Sequence, residues 1–225
     1  MELKINKSNL TLKEHGVTLI EILIAMAITG IVSAAIFTSF LSQQKSYIIQ
    51  EDVAVMQQNL RAGMDMMVRE IRMAGYDPTR NADAGIVSAA SDSITFTIDE
   101  TCDGDTADSN EYITYSLYTS DGIQKLGRKA PSLNRPVSEN IEALEFFYTL
   151  ADGLPPCLPP CLPPLDTALI RSVQITLLAR VDRADQKFVN TRIYTTPGGQ
   201  TWGSYDDNFR RRLLTTTVKC RNLGL

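Results

Sequence analysis

The sequence predicts an α+β protein: one long amino-terminal helix, membrane-spanning in its first half, packed on an antiparallel β-sheet head. Three observations carry this. Residues 17–41 hold no charge except Glu21 and are long enough, at about 1.5 Å per residue, to cross a bilayer core. After Leu41 the apolar residues recur at spacings of three and four, the stripe of a helix that continues. From Gly85 onward the period changes to two, the alternation of half-buried strands. A helix followed by a series of strands gives the α+β arrangement.

The elements follow in order. Residues 1–16 form a short polar leader in which Lys4, Lys7 and Lys13 outnumber Glu2 and Glu14, a bias that favours a cytoplasmic start. The leader ends in Gly16 directly before the apolar run, so Gly16 and Val17 read as a processing site rather than a fold signal. Residues 17–41 are the membrane or filament-core half of the helix, and Glu21 near its start needs a partner. A secretory signal cut after Ala25-Met26-Ala27 would put Glu21 in the middle of its apolar region, a poor fit. An ordinary single-span anchor gives no reason for Glu21 or for the glycine.

Residues 42–75 form the amphipathic half of the helix. Val53, Met56, Leu60, Met64, Met67, Ile71 and Ala74 make one stripe, while Arg61, Asp65, Arg69 and Arg72 fall off it. The methionines fit a core stripe better than a promiscuous groove. Gly75 is the expected C-cap and Pro78 prevents continuation; Gly30 and Gly63 are soft points or close-packing positions.

Residues 76–225 are the head. Strands are expected around Ile94, Phe96 and Ile98, then Ile113, Tyr115 and Leu117, then Leu144, Phe146 and Tyr148. The longest run covers Val173, Ile175, Leu177, Ala179 and Val181, and Leu214, Thr216, Val218 and Cys220 close the series. Asp121-Gly122 and Asp152-Gly153 supply turns. Residues 154–165, rich in proline and cysteine, read as an extended, stapled loop, and residues 195–208 as a long connection.

At 225 residues the chain has room for an anchor and one domain of ordinary size. Its net charge of −4, with no long block of one sign, gives no reason to expect nucleic acid. The basic cluster of Arg210, Arg211 and Arg212, with Lys219 and Arg221, could meet phosphates or acidic neighbours, but aromatics are not interleaved with it. No G-x-S-x-G, H-E-x-x-H or phosphate loop occurs, and the single histidine lies in the leader, so an enzyme is not expected.

Four cysteines suit an oxidising compartment and allow three pairings. The simplest joins Cys157 to Cys161 in the proline loop and leaves Cys102 with Cys220. Their spacing and the lack of histidine after residue 16 disfavour zinc. Residues 99–111 resemble a calcium loop. Asp99 and Asp103 stand at the first and fifth positions and Gly104 at the sixth, while Thr101 is a weak third and Glu111 arrives one residue late. Asp105, Asp108 and Asn110 are further candidate ligands for Ca2+; the competing reading is a solvated hairpin loop.

The segment Gly16-Val17-Thr18-Leu19-Ile20-Glu21 resembles the class III signal of type IV prepilins and type II secretion pseudopilins, with Val17 where phenylalanine is usual. The resemblance implies that a prepilin peptidase cuts after Gly16 and methylates Val17, and that Glu21 meets the amine of a neighbouring subunit. The run Met56-Gln57-Gln58-Asn59-Leu60-Arg61-Ala62-Gly63 looks like PilW-type minor pilins. So do Ile71-Arg72-Met73-Ala74-Gly75-Tyr76-Asp77, the strand through Leu177-Leu178-Ala179-Arg180, and the end from Arg210 to Leu223. Such a subunit would start in the inner membrane with a periplasmic head, then join other minor and major pilins at or near a pilus tip. A J-like minor pseudopilin of type II secretion is the close alternative, and a membrane-anchored periplasmic binding protein or enzyme the rival class.

Overall fold

The computed structural model describes residues 16–131, 133–151 and 166–223. The chain falls into two units, residues 1–48 and 49–225. In the first, helix α1 (Leu19–Met73) begins with its apolar residues exposed on every side; its most apolar window has a mean hydropathy of 2.4 and is 0% buried. Water does not tolerate such a surface around a whole helix, so lipid or other helices must cover it.

The second unit is built on the later part of α1. Met56, Leu60, Met64, Met67 and Ile71 are buried there, followed by Ala74, the stripe that the spacing predicts. Two antiparallel sheets close on this stripe. The first, in order β1-β2-β3-β4-β5, comprises β1 (Ile86–Ala89), β2 (Ser93–Thr97), β3 (Tyr112–Ser120), β4 (Ile123–Ala130) and β5 (Leu133–Glu139). The second, in order β10-β7-β6, comprises β6 (Ile141–Leu150), β7 (Ile170–Arg180) and β10 (Arg211–Lys219). Ile94, Phe96, Ile113, Tyr115 and Leu126 from the first sheet share one core with Ile141, Phe146, Val173, Ile175 and Leu177 from the second. The sheets are also tied at the β1–β2 turn, where Phe146 N–H donates to Ser91 O and Tyr148 Oη–H to Ala90 O, at 2.8 and 2.7 Å.

Helix α1 stops where its sequence says. Gly75 takes the left-handed conformation, φ +78°, and Tyr76 N–H returns to Met73 O at 2.9 Å. Gly63 proves a close-packing position: an added Cβ would come 3.1 Å from Ser138 Cβ, and Ser138 Oγ donates to Asn59 O.

Strands β4 and β5 carry a weaker pattern. The inward face of β4 includes Arg128 beside Leu126, and β5 contains Pro136, which an edge strand tolerates. Arg128 Nε donates to both carboxylate oxygens of Glu70 on α1, at 3.0 and 2.9 Å, and Tyr115 Oη–H donates to Glu70 Oε2 at 2.6 Å. Burial, with Glu70 alongside, raises the Tyr115 phenol far above its ordinary value, so the phenol keeps its proton and donates it.

Residues 195–208, expected as a long connection, are partly ordered. They complete the β8 (Tyr194–Thr195) and β9 (Thr201–Trp202) hairpin, and Asn190 bridges to Asp207. The basic cluster is likewise not a free cationic surface. The Arg211 side chain is 1% exposed and is shared between Glu142 and Asp207, with its guanidinium 3.8 Å from the Tyr205 ring centroid. Arg210 pairs with Asp185 at 2.8 Å and lies over Phe188. Two of the three consecutive arginines therefore serve the head internally.

Glu70→Ala leaves Arg128 and the Tyr115 hydroxyl without their acceptor and is expected to cost about 2–3 kcal/mol, below the range for fully buried pairs because Glu70 is partly exposed. Chemical denaturation in detergent checks it. The Arg211 guanidinium lowers the pKa of Asp207, and Arg210 does the same for Asp185. The stability they add is fully present above the ordinary aspartate value near 3.9 and is lost as pH falls through their lower folded values. Asp207→Asn should therefore flatten the acid limb of a Tm-against-pH curve; an unchanged limb would contradict the assignment.

Candidate functional site

Chemistry concentrates at two places, the start of α1 and the loop from β2 to β3. Thr18 stands just before α1. Its backbone N–H and its hydroxyl both donate to Glu21 Oε2 at 2.8 Å, and Glu21 N–H donates back to Thr18 Oγ1 at 3.3 Å. This is a reciprocal capping box, which satisfies donors that a helix start leaves open. Beside the charge that needs a partner in lipid, the T-x-x-E spacing of Thr18 and Glu21 is the sequence signal of this cap. Glu21 Oε1 accepts no hydrogen bond among the described residues, so one oxygen of the carboxylate holds the cap and the other stays available.

Gly16 and Val17 are exposed ahead of the helix. A Cβ built on Gly16 would meet nothing within 4 Å. Packing among the described residues thus makes no demand for glycine there.

In the β2–β3 loop, Asp99, Asp103 and Glu111 each bring one carboxylate oxygen within 4.8 Å of the others. Asp99 and Glu111 are 0% exposed, whereas Asp103 is exposed. Glu111 Oε1 accepts from the N–H groups of Glu100 and Thr101 and from the Thr101 hydroxyl, at 2.9 to 3.0 Å. Asp99 Oδ2 accepts from the Thr79 hydroxyl at 3.2 Å and from Gly104 N–H at 3.3 Å. Asp99 Oδ1 is buried with no hydrogen-bond partner.

The other loop candidates are not in this group. Asp105 uses Oδ1 to accept Ala107 N–H, Asp108 offers its N–H to Glu111 Oε2, and Asp105, Asp108 and Asn110 are all exposed. Thr101, expected as a weak ligand, is occupied with Glu111.

The expected Cys102–Cys220 bridge is not formed; both are free thiols. Cys102 sits exposed in the acidic loop, its Sγ 3.8 Å from Glu100 O. Cys220 follows β10 and packs into the core, where burial pushes its thiol up to about 11. Cys157 and Cys161 lie outside the described residues.

Comparison with known proteins agrees with the amino-terminal reading. Residues 11–37 match the prokaryotic N-terminal methylation motif, and residues 50–196 match the model of prepilin peptidase-dependent protein B. Among solved structures, a type IV-like pilin from Thermus thermophilus is similar at 16% identity and a TM-score of 0.45, over 75% of this chain and 98% of its own. No curated protein sequence matches significantly. The methylation motif spans Gly16 and the start of the exposed apolar helix, and the second family model spans the later part of α1 and most of the head. The chain belongs to the prepilin peptidase-dependent protein B family and carries the prokaryotic N-terminal methylation motif.

Proposed function

We propose that this chain is a minor pilin of the PilW type, a structural subunit that helps initiate type IV pilus assembly and sits at or near the tip. The observation that carries the reading is the uncovered apolar surface of α1 behind Gly16. Lipid covers that surface before assembly, and the helices of other pilins cover it afterwards. The head folds around its own stripe of α1, which leaves its loops free to meet partners.

Processing follows from the motif. A prepilin peptidase cuts after Gly16 and frees the Val17 amine, which is then methylated. Thr18 and Glu21 then stand immediately behind the new terminus, with Glu21 Oε1 open. In hydrocarbon, the amine of a neighbouring subunit is the natural partner for that oxygen, since each charge offsets the other's desolvation. The cap holds the carboxylate in place for the encounter.

Mass spectrometry of the purified membrane protein is expected to find a mature chain starting at methylated Val17. Gly16→Ala should slow the cut, and a bulkier residue should block it. Cleavage after Ala27, or an uncut chain in cells that process their other prepilins, would remove this reading.

Cap and charge are separable at Glu21. Glu21→Gln keeps an acceptor for Thr18 but loses the charge, and Glu21→Ala loses both. Both variants should be processed and inserted, and both should lose pilus initiation and cross-linking to partner pilins. Normal piliation with Glu21→Gln would leave Glu21 a helix cap and nothing more. Loss of type II secretion with pili intact would instead assign the chain to the J-like pseudopilins.

A further inference from the structure

We propose that Asp99, Asp103 and Glu111 hold a calcium ion that pins the β2–β3 loop to the segment following α1. Two of these carboxylates are wholly buried, yet none of the ion pairs among the described residues involves any of the three. Buried carboxylates need a positive charge or a full set of donors. Glu111 has donors on both oxygens. Asp99 does not: its Oδ1 is buried and accepts nothing, while Oδ2 on the same carboxylate is held by Thr79 and Gly104. A carboxylate anchored through one oxygen and unpartnered at the other, beside two more carboxylates, is a place where a cation would be bound.

The chemistry selects the ion. Three carboxylate oxygens within 4.8 Å of one another are close enough for a single cation to bridge, and calcium, with oxygen distances of about 2.3–2.6 Å, is large enough to do so with a small closing of the loop. All three donors are hard carboxylate oxygens, and the nearby thiol of Cys102 is turned to Glu100 O, so a softer metal such as zinc has no preferred ligand. An irregular loop, with Cys102 at φ +62° and the exposed Asp103 at its rim, adapts to calcium's loose coordination better than to magnesium's strict octahedron.

The site reaches beyond its own loop. Asp99 N–H donates to Tyr76 O at 2.7 Å, and Thr79 Oγ1 bonds to both Asp99 and Asp77. Ordering Asp99 therefore orders the turn where α1 ends. Charge neutralisation at the loop would be felt at the junction of helix and sheet.

The test uses full-length protein in detergent, stripped with EDTA and titrated calorimetrically with CaCl2 and, separately, MgCl2. One calcium should bind per chain, with a dissociation constant on the order of 10⁻⁴–10⁻³ M or tighter. About 10 mM Ca2+ should raise Tm by several degrees, because the ion binds only the folded loop. Asp103→Asn, at an exposed position that does not threaten folding, should weaken binding at least ten-fold, and Asp99→Asn should abolish it. Asp105→Asn, outside the group, should bind as the parent does. Absence of both heat and Tm shift with Ca2+ would overturn the proposal. So would an equal response to Mg2+, unchanged binding by Asp103→Asn, or equal loss in Asp105→Asn, which would mean diffuse attraction to an acidic loop. Should Asp99→Asn fail to fold, Asp103→Asn decides the matter.

Discussion

The head depends on one constraint: a single helical stripe, Met56 to Ala74, must pack against residues of two sheets at once. Residues of both sheets join this stripe in one core. The requirement fixes where α1 may end and how closely it approaches. It explains Gly63, where β5 comes too near for a larger side chain, and the stop at Gly75, beyond which Leu223 fills the space a Cβ would need. It also explains why a charge on the flank of the stripe matters. Glu70 lies one position from Ile71, close enough to the core to satisfy Arg128 and Tyr115 as they turn inward from β4 and β3.

Much of this was legible in the sequence, because the two periods are strong where burial is one-sided. The stripe of α1 and strands β2, β3, β6, β7 and β10 all read directly from spacing. Strands β4 and β5 did not, for a definite reason. The inward positions of β4 include Arg128, tolerable only because Glu70 waits on a helix 58 residues earlier in the chain. A local pattern cannot contain that partner. Pro136 in β5 argues against a strand until the strand is known to be an edge. The division of the head into two sheets was also hidden, since pairing order is not a property of any one segment.

The candidate sites divide in the same way. The acidic loop was visible as a composition, but which carboxylates meet depends on the path of the chain. Asp99 and Glu111 turn inward at the two ends of the loop, while Asp105 and Asp108 bond locally and stay in water. The even cysteine count suggested a bridge between Cys102 and Cys220 that the fold does not make, since one lies on the outer loop and the other in the core. The arginine run looked like an outward surface because its counter-charges, Glu142, Asp185 and Asp207, are scattered through the sequence. The capping box at Thr18 and Glu21 is the opposite case, wholly local and written in the T-x-x-E spacing alone.

That capping box bears on the entropy of joining a larger array. The first turn of a helix is normally its loosest part, frayed and conformationally plural. Here two side chains three residues apart close it within the lone chain. The ordering cost is met during folding, so in the assembly proposed above a neighbour would meet an end already ordered rather than one it must organise. Docking of such an end becomes closer to the insertion of a shaped rod, with geometry set by the chain that arrives and little left for the recipient to impose.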